Sequence, residues 1–420
     1  MRRVLVLLAL ASHSRAEQLS LTLAAVRKLA VQNSPQLSAS RLTAVAARQV
    51  PLEYRANRYP TVAGAVTAVG ADNGSRLAAG GLNNPAVFDR FASGLTMNQL
   101  VTDFGRTTSL IGSAKLRADA QDQIAETTRA SVEIAATRAY FEVLRSRTLL
   151  TVALQTVEAR KLVTEKVEAL ARNNIKSGLD ASFARVNLSE AQLLVSQARN
   201  AVQSAEADLA AAIGLPSQVD FQLADEPMAP ALADGVDVFI AKAIQDRPEL
   251  KSLRLEQVAL EKQSKADHSL NYPTVAIIGS AGVVPTGVAA VASRYGAIGL
   301  NMSIPVFNGG LYRIRQVESD LKARAAAQLA TELSNRITRD VRVAYLNAKS
   351  AYERIALTEE LLKQSEMALD LARGRYDLGL SSIIEVSQAQ LNLTSARIAG
   401  ASANYEYLNR LAILDYQAGR

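Results

Sequence analysis

The chain repeats itself, and that repetition limits its possible folds more than any other feature. Asn33-Ser34-Pro35-Gln36-Leu37 returns as Asp246-Arg247-Pro248-Glu249-Leu250, and Tyr59-Pro60-Thr61-Val62 returns unchanged at Tyr272-Pro273-Thr274-Val275, both 213 residues later. Gly94-Leu95-Thr96-Met97-Asn98 is answered by Gly299-Leu300-Asn301-Met302-Ser303, and Ala139-Tyr140 by Ala344-Tyr345, both at 205. Ser189-Glu190-Ala191-Gln192-Leu193 matches Ser387-Gln388-Ala389-Gln390-Leu391 at 198. Five landmarks in one order indicate a duplication, with repeats over 17–225 and 226–420.

Each repeat predicts the same layout. A helical stretch (about 21–58; about 236–271) is interrupted at Pro35 or Pro248, where the missing N–H restarts the helix. Two alternating segments follow, 61–70 with 91–100, then 274–284 with 295–304. After a turn at Asp103-Phe104-Gly105 or Asn308-Gly309-Gly310, a proline-free helical pattern runs over 106–173 and over 311–376. A helix of that length spans about 100 Å, more than a single-core domain allows. Val132, Ala136, Ala139, Val143, Ser146, Leu150, Ala153 and Val157 keep the 4-3 spacing of a coiled coil. Breaks at Ser177-Gly178 and Leu378-Gly379-Leu380 precede returning helices, so the repeats contain antiparallel hairpins over 106–214 and 311–415.

The composition excludes several classes of function. With no cysteine and two histidines in 420 residues, the chain has no thiolate metal site, disulfide or triad of the serine-hydrolase type. No cofactor or metal motif is present, and an enzyme is not expected. Arg2 and Arg3 precede the apolar run Val4 to Ala11, and Ser14-Arg15-Ala16 gives small residues before Glu17, the pattern of a secretory signal over 1–16. Its removal takes three arginines and no acid, so the formal charge falls from +7 to +4 and a nucleic-acid partner loses support. Asp103-Phe104-Gly105 matches a kinase tripeptide without its companion motifs and is a strand-to-helix turn.

The strands carry the functional reading. Segments of about ten residues are long enough to cross a bilayer when tilted. Phe91, Leu95 and Met97 alternate with Thr96 and Asn98, and Ile298, Leu300, Met302 and Ile304 with Gly299, Asn301 and Ser303. Four strands with open edges cannot stand alone in hydrocarbon and must close with other chains. The competing reading is a periplasmic coiled-coil structural protein, or an adaptor, without a pore. An adaptor, however, has one helical hairpin flanked by β-rich halves.

The ordered set of Asn33-Ser34-Pro35-Gln36-Leu37, a Tyr-Pro entry to each strand pair, an Asp/Asn-x-Gly exit and the duplicated strand-plus-hairpin unit resembles the TolC family of outer-membrane efflux channels. The resemblance implies a mainly α fold with membrane β. A homotrimer would form a 12-stranded barrel, continued by a periplasmic α-helical tube, in the outer membrane of a Gram-negative bacterium. It implies a passive duct for efflux or type I secretion, working with a periplasmic adaptor, an inner-membrane transporter and outer-membrane lipid. Tyr376 and Glu385 match the family's second hairpin tip, where they constrain the aperture and ring the pore. Gln388 replaces a further acid, Ser381 a basic residue, and Asn187 is the first-repeat counterpart of Glu385 at the 198 offset. Glu385 is otherwise a solvated carboxylate, and Tyr376 a helix-packing residue. Gly178, Leu179, Gly379 and Leu380 are the expected adaptor-contact tips, with the glycines turning the chain and allowing close backbone approach.

Overall fold

The computed structural model describes residues 20–70, 90–215, 222–232, 235–284 and 293–419. The candidate signal over 1–16 lies outside the described residues. In chain order the elements are β1 (Ser20–Leu21), α1 (Leu23–Asn33), α2 (Pro35–Ala47), α3 (Val50–Ala56), β2 (Thr61–Val69), β3 (Arg90–Thr102), α4 (Arg106–Arg172) and α5 (Gly178–Ile213). The second series is β4 (Gln222–Leu223), α6 (Val236–Asp246), α7 (Pro248–His268), β5 (Thr274–Val283), β6 (Arg294–Ser303), α8 (Leu311–Asp377) and α9 (Ile383–Gln417). Both prolines restart a helix as expected: α1 stops at Asn33 and α6 at Asp246. Ser34 serves the junction twice, since its N–H closes α1 and its hydroxyl accepts from Leu37 N at 3.1 Å.

Two compact units divide the chain. One takes the chain up to Ser38, Thr127–Arg247 and Arg336 onward; the other takes Ala39–Glu126 and Pro248–Asn335. In the first unit, Val26, Tyr140, Val143, Leu209 and Ile213 form a fully buried cluster. The Tyr140 hydroxyl donates to the Ala224 carbonyl. Burial pushes that phenol up to about 12 and keeps it a donor. Strands β1 and β4 pair in parallel beside it. The sequence stripe faces inward: Val132, Ala136, Val143, Ser146 and Ala153 are buried.

In the second unit the strands form one antiparallel sheet of order β2-β3-β5-β6. The turn after β3 is built by Asp103, whose carboxylate accepts from Thr107 N at 2.7 Å, with Phe104 and Gly105 at φ 51° and 92°. At the counterpart, Asn308 Oδ1 accepts from Gly310 N at 3.1 Å, and Gly309 and Gly310 carry the positive φ. The strand-to-helix turn read in the sequence is therefore observed in both repeats.

The register corrects one landmark. Helices α4 and α8 are both 67 residues long and begin 205 apart, and Ser177 and Ser382, the residues just before α5 and α9, keep that offset. The 198 offset of the fifth landmark is a slip of one heptad. The counterpart of Glu385 is therefore Asp180, not Asn187.

Candidate functional site

Strand register sorts the side chains of the sheet onto two faces, because directly paired residues share a face. One face collects Val62, Met97, Gly279 and Ile298 in one row, Gln99, Ile277 and Leu300 in another, and Val275 with Met302 in a third. The other face collects Thr61, Asn98, Ile278 and Gly299, then Ala63, Thr96, Ser280 and Ala297. One side is thus broadly apolar and the other small and polar. The apolar side is bare: Val66, Ile298 and Leu300 are 71%, 78% and 68% exposed. Among the described residues, β2 and β6 pair on one side only, so each presents an unpaired edge. No described helix is long and apolar enough to cross a membrane.

On the small-residue face Tyr295 lies across two glycines. A Cβ on Gly94 or Gly282 would stand 2.3 Å or 2.6 Å from the Tyr295 hydroxyl. Paired residues Gly94, Gly282 and Tyr295 therefore make one flat row, which keeps the ring down on the sheet.

The hairpin tips lie in the other unit. Tyr376 is 6% exposed and packs with Val167, Ala181, Ala372, Ile383 and Val386. It sits on the inward stripe of α8, where Ala351, Thr358, Ser365, Leu369, Ala372 and Tyr376 continue the 4-3 spacing and are all buried. Burial, and next the charge of Asp180, pushes its phenol up to about 12, so it is neutral across the physiological range. Lys176, from the first hairpin's loop, donates to the Tyr376 carbonyl at 2.9 Å and places its ammonium 3.8 Å from the ring centroid. Nearby, Lys166 on α4 donates to both Asp377 carboxylate oxygens at 2.9 Å. These contacts tie one hairpin tip to the other. Neither lysine lies on the apolar stripe by which the sequence marks its packing residues.

Glu385 is exposed at the third position of α9 and faces Arg375 at 3.7 Å. Gln388 stands one turn along on the same exposed side and donates to Asn392 Oδ1 at 3.1 Å. Glu385, Gln388 and Asn392 make a polar stripe. Asn187 does not join it. Its side chain is 8% exposed, donates to Ser387 Oγ at 2.7 Å, and its carbonyl accepts from Arg160 Nη1 at 3.0 Å. It bonds α5 to α9 inside the unit, and the aperture role read from the sequence gives way to this packing role.

The glycine reading also changes. Gly379 turns the second tip at φ 75°, but Gly178 is the first residue of α5, after the capping serine Ser177. The left-handed residue of the first tip is Asn174 at φ 58°, 205 positions before Gly379. Among the described residues, no atom from beyond the local backbone lies within 4 Å of where a Cβ on Gly178 or Gly379 would stand, so no close approach of those backbones requires a glycine there. Leu179 and Leu380 are 65% and 67% exposed, and Ile175, Leu378 and Ile384 are exposed with them.

No cluster of three or more metal-ligating side chains occurs among the described residues. A sequence profile of the outer membrane efflux protein family matches residues 26–215 and 239–420. This chain belongs to that family. It is an outer-membrane efflux protein, mostly helical, with a four-stranded antiparallel sheet among the described residues. The outer membrane protein TolC of Salmonella enteritidis is 23% identical over 354 residues, covering 79% of this chain and 71% of TolC. Among solved structures, the outer-membrane channel OprN superposes with a TM-score of 0.83 at 19% identity, covering 94% of this chain and 89% of that one. The outer membrane protein VceC of Vibrio cholerae gives 0.81 at 18% identity, over 94% and 96%.

Proposed function

We propose that three copies of this chain close edge to edge into a barrel of 12 strands and that their long helices form a tube, making a passive export duct. The observation that carries this is the two-faced sheet with free edges at β2 and β6. In hydrocarbon each unpaired backbone group costs several kcal/mol, so an open sheet there is untenable. The order β2-β3-β5-β6 alternates in direction, so β6 of one copy meets β2 of the next antiparallel. Closure then needs no new type of pairing. The apolar face of Val62, Ile298 and Leu300 turns to lipid and the Thr, Ser and Asn face to water.

Export into the periplasm would use the signal over 1–16, followed by repeats over 17–225 and 226–420. The tips hold the aperture. Lys176 and Lys166 keep the hairpins together, while Glu385 and Gln388 line the opening and favour cations. The exposed apolar residues Leu179 and Leu380 receive a periplasmic adaptor, with Gly178 and Gly379 beside them. An inner-membrane transporter supplies the energy.

The duct is tested by adding the purified full-length protein to planar bilayers while measuring its mass in detergent. Uniform conductance steps from a three-chain particle are expected. A one-chain particle without conductance contradicts the proposal.

A further inference from the structure

Between α4, α8 and α9 of the first unit lies a cavity of about 280 Å³. It is lined by Thr156, Arg160, Asp370, Arg373, Gln390 and Arg397, with Glu366 paired to Arg397 at 3.4 Å. Three buried donors of this lining have no hydrogen-bond partner among the described residues: Nε of Arg160, Nε of Arg373 and Nε2 of Gln390. Arg160 and Gln390 are themselves only 4% and 5% exposed. Buried polar groups are almost always paired, so three unmet donors around one space point to a bound acceptor.

The lining carries three guanidinium groups and the carboxylates of Glu366 and Asp370, with Glu190 as a third carboxylate against Arg160. Arg160 Nη1 is engaged by the Asn187 carbonyl at 3.0 Å and by Glu190 at 3.6 Å, but Glu190 is 54% exposed and solvent weakens that pair. Burial lowers the Arg160 pKa from its ordinary value, and the charge of Glu190 opposes that only in part.

We propose that this cavity binds a small monovalent anion, a halide or a carboxylate group, held by N–H groups of Arg160, Arg373 and Gln390. The anion would join α4 of the first hairpin to α8 and α9 of the second, from inside one chain. This assignment needs neither the barrel nor the trimer.

The probe is bromide, used on the full chain in two ways. Crystals grown in sodium bromide should give an anomalous peak within hydrogen-bond reach of at least two of the three donors. In solution, the unfolding midpoint should rise with bromide when a bulky sulfonate holds ionic strength constant. Gln390→Leu and Arg373→Met should each abolish both the peak and the rise. Water density alone in the cavity overturns the assignment, as does a bromide-dependent rise that survives in both variants. A peak without any rise means binding at crystal concentration only and also overturns it.

Discussion

The two lysines at the hairpin tips differ enough in their surroundings to rank their effects in advance. Lys176 is half-buried and makes two contacts with one residue, a hydrogen bond to the Tyr376 carbonyl at 2.9 Å and an approach to its ring at 3.8 Å. A cation over an aromatic face contributes about 0.5–1 kcal/mol at an exposed site, and a hydrogen bond about 0.5–1.5 kcal/mol net. Lys176→Met keeps most of the stem and removes both, a loss of about 1–2.5 kcal/mol. That shifts an equilibrium between joined and separated tips by roughly five- to seventyfold. Lys166→Met breaks the ion pair to Asp377, whose side chains are 57% and 50% exposed. Such pairs contribute about 0.2–1 kcal/mol, a shift of roughly fivefold at most. The assay is the open fraction of single channels in planar bilayers at fixed salt. Lys176→Met should raise it clearly more than Lys166→Met, and only the Lys166 effect should fade at high salt. An equal or larger effect of Lys166→Met, or no change in either, refutes the reasoning.

Glu385→Gln should reduce cation over anion selectivity in the same bilayers; unchanged selectivity would place this carboxylate off the pore axis. Leu300→Arg puts a charge on the apolar face of β6 and should cost about 2–4 kcal/mol of membrane stability, sharply lowering assembled protein. Asn301→Arg, on the opposite face, should assemble normally, and equal loss in both would remove the assignment of faces. Cysteines introduced at Leu179 or Leu380 should cross-link to the co-purifying adaptor, and adducts only from a mid-helix control would move the contact away from the tips.

What could be read from sequence follows the periodicities. Phe91, Leu95 and Met97 alternate with small or polar neighbours because a strand has a period of two, and the observed pairing puts them on one face. Which strands become neighbours, and that β3 joins β5, is fixed between distant segments and has no local signature. The error at Asn187 arises from the coiled coil itself. Sliding one copy by seven residues keeps the same face buried, so Ser189–Leu193 resembles Ser387–Leu391 although helix starts are 205 apart. At the first tip the residue type misleads, because Gly178 is the local glycine while the left-handed turn falls on Asn174. Asparagine enters the left-handed region more readily than most residues, and here it replaces the glycine found at 379.

The cavity does have a signal in the sequence. Continuing the stripe past Val157 by steps of three and four lands on Arg160, Thr164 and Val167, all buried. A charge on a core stripe marks a place where something must answer it. Tyr376 is the reverse case, since its place on the α8 stripe already assigns it to packing. What no pattern could supply is Lys176, because a loop residue has no period and its contact exists only once both tips are folded.

The free edges of β2 and β6 support the central claim, and the absence of native cysteine makes them directly testable. One cysteine is placed on β6 at Ala297 and one in turn on β2 at Ala63, Ala65 or Thr67, and the membrane-assembled protein is oxidised and run on a denaturing gel. At the matching register the account predicts covalent dimers and trimers, with the ladder ending at three chains. Monomers at every register, or a ladder continuing beyond three, would contradict it.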